Sequence, residues 1–264
     1  MNDANLLARA GALEVRVAIR AIDIAAAQAL RYRVFFEEGA ATPDARSRAA
    51  GRDLCRFDAV CDHVVVVDCD APGAPVVGAY RLLRHEIAQN HFGFYSAAEF
   101  EVEALVARHP RLRFMELGRS CVAGGYRGKR TIETLWRGVW AYALRHRIDV
   151  MFGCASLPGV DPRSHAAAFA ALDLQGTEPE WGAAPAAGAR AAAVPLPNPS
   201  RDPRAALHDL PPLVKGYLRL GARFGRHAVI DEAFGVTDIF VVLRVADIQA
   251  RYLQHFAPEG AIAA

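Results

Sequence analysis

The sequence predicts one mixed α/β domain over residues 1–264, with a splayed, partly parallel central sheet flanked by helices. Three observations predict it. A β-branched run at 63–67 and an apolar stretch at 76–83 flank a Pro- and Gly-rich turn, the pattern of a hairpin. Strand-like segments at 114–122 and 149–156 are separated by the most periodic helical segment of the chain, which implies a strand–helix–strand crossover and hence parallel neighbours. No apolar stretch approaches the ~18 residues of a membrane span.

Taken in order, Leu13, Val15, Val17 and Ile19 alternate with polar residues or alanine, as in a half-buried strand, and 25–38 follows as a helix. The run from His63 to Val67 is turned by Asp70-Ala71-Pro72-Gly73-Ala74-Pro75 and returns through 76–83. Ser96 with Glu99 three residues on makes a capping box and predicts a helix over 97–108, ended by Pro110. Beyond the strand at 114–122, Ile132, Leu135, Trp136, Val139, Trp140, Ala143 and Leu144 fall on one helical stripe. The next strand, 149–156, leads to Asp161-Pro162, an N-cap and first-turn proline for a helix to about Leu172. The Ala-, Pro- and Gly-rich stretch 175–212 reads as a long, partly mobile loop within the same domain. A helix over 213–224, a strand over 238–245 and a short helix over 247–256 complete the expectation.

Thirty-one Lys and Arg against 29 Asp and Glu leave a formal charge of +2, which argues against a general nucleic-acid binder and requires any anionic partner to meet a local patch. Lysine occurs only at Lys129 and Lys215, so arginine supplies nearly all the positive charge. The N-terminus lacks a basic region followed by an apolar one, and a cytoplasmic protein is expected. Five cysteines (55, 61, 69, 121 and 154) without CxxC spacing indicate neither a disulfide framework nor a structural zinc site.

The chemistry concentrates after residue 113. A strand passing through Gly124, Gly125 and Gly128 into a helix start places backbone N–H groups at the positive end of a helix dipole, an anion site. Arg127, Lys129 and Arg130 add charge there; a solvated basic turn is the competing reading. Glu116 and Arg119 are three apart, so on a regular strand they point to opposite faces. A bulge at Gly118 would return both to one side and open a slot in which an extended amide-bearing arm could pair. Arg81 stands in line with Val77, Ala79 and Leu83 and needs a carboxylate, with Glu116 a candidate. Asp58 and Asp62 bracket the entry to the first hairpin strand, and Arg31 and Phe35 lie one helical turn apart.

Together these residues resemble the GNAT acyltransferase superfamily, within it the branch that uses acyl-carrier-protein thioesters. Arg31-x-x-Val34-Phe35, Asp58 and Asp62, Arg81 in Gly78-Ala79-Tyr80-Arg81-Leu82-Leu83, and Glu116-x-x-Arg119 are similar to the pattern of acyl-homoserine-lactone synthases. The stretches around Glu116 to Val122, Leu135-Trp136, Phe152 to Ser156 and Leu213 to Ala222 resemble, more closely, the ornithine N-acyltransferase family of bacterial ornithine-lipid synthesis. The resemblance implies transfer of a 3-hydroxyacyl chain from acyl carrier protein to L-ornithine, with no tightly bound cofactor or metal, the acyl-phosphopantetheine being a co-substrate. It implies catalytic roles for Glu116 and Arg119 and acceptor-binding roles for Arg31, Phe35, Asp58, Asp62 and Arg81. Gly118, Cys121 and Val122 would line the oxyanion and pantetheine strand. Arg127, Gly128, Lys129, Arg130 and Thr131 would meet the phosphopantetheine and its carrier. Peripheral contact with the inner membrane is expected from the amphiphilic product and the basic loop. A lactone synthase, a coenzyme A-dependent acyltransferase and a non-catalytic carrier-protein-binding module remain the alternatives.

Overall fold

The structure, a computed structural model, describes residues 5–173, 179–192, 207 and 210–248. The described residues divide into two compact units, one comprising the chain through Phe92 together with Leu117–Ile148, the other Gly93–Glu116 and the described residues from Asp149 to Ile248.

In the first unit the strands β1 (Leu6–Ala10), β2 (Leu13–Val17), β3 (Asp62–Asp68) and β4 (Val76–Arg84) follow one another as antiparallel neighbours, with the latter part of β5 (Phe114–Val122) beyond them. Helix α1 (Ala21–Tyr32) leads into a π-helical turn, Arg33–Glu37, and then into the short α2 (Ala45–Ala50). The valine run of β3 is buried throughout because both of its faces are covered. Val65 and Val67 join Ala79 and Cys121 beneath Ala27 and Leu30 of α1. On strands side chains alternate, so Arg81 shares the α1 face with Ala79. The other face meets α5 (Lys129–Arg145), where the Tyr80 and Trp136 rings lie 6.1 Å apart, edge to face.

Gly138 is the close-approach point of that packing. A Cβ there would run into a Val15 methyl, and Val15 is fully buried on β2, so the helix cannot keep its place above the strand. Gly138→Ala is expected to lose about 1 kcal/mol despite alanine's better helix propensity, because overpacking in a filled core costs about 1–3 kcal/mol against a propensity gain of about 1. A urea titration checks it; a stability equal to or above wild type would contradict the packing described.

In the second unit the first residues of β5 neighbour β6 (Val150–Pro158). The amides of Asp149 and Val150 both donate to the Arg113 carbonyl, so the two strands start side by side and run parallel, as the crossover pattern predicts. β6 then pairs antiparallel with β9 (Val236–Arg244), β9 with β8 (Arg223–Asp231), and β8 with the two-residue β7 (Ala191–Ala192). Phe94, Phe114, Phe152 and Phe240 pack as an aromatic core against these strands. Further helices among the described residues are α3 (His85–Ala88, in the first unit), α4 (Val102–Arg108), α6 (Ala166–Asp173) and α7 (Pro212–Leu220).

Several sequence expectations change. The capping box at Ser96 does not form: a 3-10 turn occupies Tyr95–Ala98, α4 starts only at Val102, and the polar groups of Ser96 and Glu99 have other partners. Leu144, placed on the buried stripe of α5, is 48% exposed near the helix end. The helix over 213–224 stops at Leu220, where Gly221 adopts φ 91° and closes it, and 223–231 is strand. Part of the loop expected over 175–212, and all but the start of the helix expected over 247–256, lie outside the described residues.

Candidate active site

The first unit buries a cluster of ions on the α1 face of the sheet. Arg31 follows Ala27 and Leu30 on the inward stripe of α1 and is 1% exposed. Such a guanidinium must find acceptors, and the segment after α2 supplies them. Asp44 caps α2, Gly51 ends it with φ 59°, and the Ser47 hydroxyl accepts from Leu54 N, which fixes the path of the chain at Asp53. Arg31 Nε donates to Asp53 Oδ2 at 2.8 Å, and its Nη2 donates to the Asp53 carbonyl at 2.6 Å and to Asp58 Oδ2 at 2.8 Å. Asp58 lies in the 3-10 turn Arg56–Ala59 and also accepts from Gln28 Nε2, Cys55 N and Arg81 Nη1. Arg119 Nε reaches Asp53 Oδ2 at 3.2 Å.

Three arginines thus share the carboxylates of Asp53 and Asp58. Arg31 Nη1, buried, has no hydrogen-bond partner, and Arg119, 12% exposed in its side chain, is the most open of the three guanidinium groups. Burial works to raise the Asp58 pKa, but the charge and hydrogen bond of Arg31, the charge of Arg81 and the Gln28 amide outweigh it and hold the carboxyl down at about 2. His63, buried beside this cluster with Nε2 3.1 Å from the Asp58 carbonyl, is shifted down, chiefly by burial.

Of the residues singled out in the sequence, Arg31, Asp58, Arg81 and Arg119 come together; Asp62 does not join them. It lies on the α5 side, where it accepts from the Tyr142 hydroxyl and sits 3.5 Å from Arg84 Nη2. Phe35 is in the π-helical turn, partly buried against the core beneath α1. Asp53 and Gln28 were missed. Gln28 carried a usable signal, its position three before Arg31 on one helix face; Asp53 carried none.

Next to Gly118, where a bulge is expected, the backbone departs from a regular strand at Arg119. Arg119 has φ 52°, a left-handed conformation unusual for a residue with a side chain, whereas a Cβ at Gly118 would meet no atom within 4 Å. At the end of the strand the Val122 carbonyl accepts from Arg127 Nε, and Gly124–Tyr126 form a 3-10 turn. Gly128 is the N-cap of α5 and contributes no side-chain cap, so the first-turn amides are not met by one. Thr131 is buried in that turn, while Lys129 is exposed.

In the second unit Glu116 is 4% exposed. Its Oε2 accepts from Tyr95 N at 2.8 Å, and its Oε1 accepts from Ser96 N at 2.7 Å and from the Ser96 hydroxyl at 2.5 Å. Glu99 accepts from Cys154 Sγ at 3.3 Å and lies with Asp231 and Asp238 in a cluster of carboxylates. Burial first, then the Asp238 charge, pushes the Glu99 pKa up to about 8. Burial likewise raises both buried thiols, Cys121 to about 12 and Cys154 well above its ordinary value, so neither is a thiolate at neutral pH. Among the described residues no helix is long and apolar enough to cross a membrane.

Residues 30–137 match the acetyltransferase (GNAT) domain family. The chain is 48% identical to an L-ornithine N(alpha)-acyltransferase of Agrobacterium fabrum, over 97% of this chain and 88% of that protein, and 47% identical to one of Brucella abortus, over 98% and 93%. The chain belongs to this family of acyltransferases. Among solved structures, FeeM, an N-acyl amino acid synthase from uncultured soil microbes, matches 89% of this chain and 91% of its own at 12% identity and a TM-score of 0.49.

Proposed function

We propose that the protein moves a 3-hydroxyacyl chain from the phosphopantetheine of an acyl carrier protein to the α-amino group of L-ornithine, giving lyso-ornithine lipid. The observation that carries this reading is the buried cluster of three arginines and two aspartates. Its guanidinium groups suit an acceptor that brings a carboxylate, with Arg119, the most open of the three, as the group that meets it. Asp58 already accepts from two arginines, a glutamine and a backbone amide, so in this reading it orients Arg31 and Arg81 and does not receive the ornithine side chain.

In the reaction the amine nitrogen attacks the thioester carbon, the C–N bond forms, the C–S bond breaks and the pantetheine sulfur leaves as a thiolate. An α-amino group loses its first proton at about pH 8, so neutral amine is accessible near neutrality. The second proton becomes strongly acidic once the C–N bond forms, and Glu116 takes it directly or through one water. Backbone N–H groups at Gly118 and Val122 stabilise the oxyanion. The thiolate, with a conjugate pKa of about 8.5 if it resembles cysteine, needs little acid assistance. The thioester is already activated, so the step draws on no further cofactor. The loop from Arg127 to Thr131 holds the single phosphodiester of the donor.

The test is incubation with 3-hydroxyacyl carrier protein and a panel of amino acids including S-adenosylmethionine, followed by mass spectrometry and thiol release. Ornithine should gain one acyl group per thiol freed. Acylation of S-adenosylmethionine, or of no amine at all, would replace this reading by the lactone-synthase or the non-catalytic one.

A further inference from the structure

We propose that Glu38 determines which thioester donor the protein accepts, admitting a single phosphodiester and disfavouring coenzyme A; the inference rests on the reading of the Arg127–Thr131 loop as the donor-phosphate site. The basic appearance of that loop in sequence is largely cancelled in the fold. Arg127, half-exposed, is ion-paired with Glu38. Lys129 Nζ lies 3.7 Å from Glu133 Oε1, and Arg130 Nη2 donates to the Ala10 carbonyl at 3.0 Å, closing the β1–β2 turn. Tyr126 donates its hydroxyl to Asp68 Oδ2 at 2.9 Å, which brings a third carboxylate to the same end. Two of the three cations of the loop are therefore paired with carboxylates, and the third is held by a backbone carbonyl.

Of these carboxylates, Glu38 is the one that both pairs with Arg127 and flanks the glycine turn. The π-helical turn at the end of α1 ends at Glu38, whose N–H donates to the Arg33 carbonyl five residues back. The carboxylate flanks the glycine turn: a Cβ at Gly124 would lie 3.8 Å from Glu38 Oε2. A phosphate that takes Arg127 must displace or adjoin this negative group. The Arg127 pair is exposed, and such pairs are weak, so Arg127 can be given up to a phosphodiester with little loss. Coenzyme A brings a diphosphate and a ribose phosphate, and the repulsion from Glu38 grows with each added charge.

The test compares steady-state rates with 3-hydroxyacyl-coenzyme A and 3-hydroxyacyl carrier protein. In Glu38→Gln the ratio of kcat/KM for the coenzyme A donor to that for the carrier protein should rise about tenfold at low ionic strength, and the gain should shrink as salt screens the loop. Glu38→Asp keeps the charge and should keep the wild-type ratio. Arg127→Ala separates the two ways of failing. If it raises KM for both donors while Glu38→Gln leaves the ratio unchanged, the loop holds the donor and Glu38 does not select it. If it leaves both KM values unchanged, the donor-phosphate reading fails and the role of Glu38 with it.

Discussion

Asp58→Asn is expected to lower stability by about 3–5 kcal/mol, roughly the cost of stripping one partner from a buried ion network. Arg31 keeps Asp53, but Arg81, 3% exposed, loses a carboxylate 3.2 Å from its Nη1, and the amide of asparagine presents donors to a site that already holds four. The acid limb of the wild-type stability curve supplies a lower bound. The Asp58 pKa falls from an ordinary 3.8 to about 2 on folding, a depressed carboxyl, so its stabilisation is present above about pH 4 and lost as pH falls through about 2. That shift is worth about 2 kcal/mol, less than the loss from substitution, because a protonated aspartate still keeps one good acceptor oxygen. Thermal melts at pH 7 should show a drop of about 10 °C. The variant's acid unfolding should lack the wild type's extra loss between pH 4 and 2. A melting temperature within 2 °C of wild type would mean that the cluster is not the keystone of the α1 face.

The same cluster shows how far the sequence carries. Strands β3, β4, β5, β6 and β9 are legible because alternation or β-branched runs mark them and their ends fall at Gly, Pro or charged residues. β1 and β8 are not. Leu6–Ala10 is too short and alanine-rich to show a period, although Gly11, with φ 59°, opens its hairpin with β2. In β8 the register slips between Phe224 and Ala228, so the buried positions lose the two-residue period by which a strand is recognised.

Site residues divide along a similar line. Arg31, Asp58, Arg81 and Arg119 were legible as a motif, but their geometry was not, because the hydrogen bonds joining them span 22 to 66 positions of sequence. Asp53, which accepts from two of these arginines, is an ordinary loop aspartate to any local reading. Ser96 shows the opposite error. Local spacing made it a helix cap, and tertiary structure spent its donors on Glu116 instead.

That use of Ser96 shapes the second large effect, which Glu116→Gln should reveal. Glu116 receives backbone N–H donors on opposite oxygens, so whichever way a glutamine amide is turned, its NH2 faces a donor. The structural penalty is about 1–3 kcal/mol, the cost of a buried group left without its partner. A fold with about 5–15 kcal/mol of stability survives this at 25 °C with nearly all molecules native. Loss of a proton acceptor costs about 100-fold to 10,000-fold in rate, far more than the unfolded fraction could explain. We therefore expect kcat to fall at least about 100-fold in a variant that still melts cooperatively. Ser96→Ala supplies the control, since it removes one donor to Oε1 and leaves the carboxylate in place. It should lose about 1 kcal/mol and keep kcat within about threefold of wild type. If both variants instead lose rate in proportion to stability, Glu116 is a clamp on the segment at Tyr95 and Ser96 and the proton goes elsewhere. Glu99, with its pKa raised to about 8, would then be the carboxylate to test, and its signature would be a kcat/KM profile still rising toward pH 8.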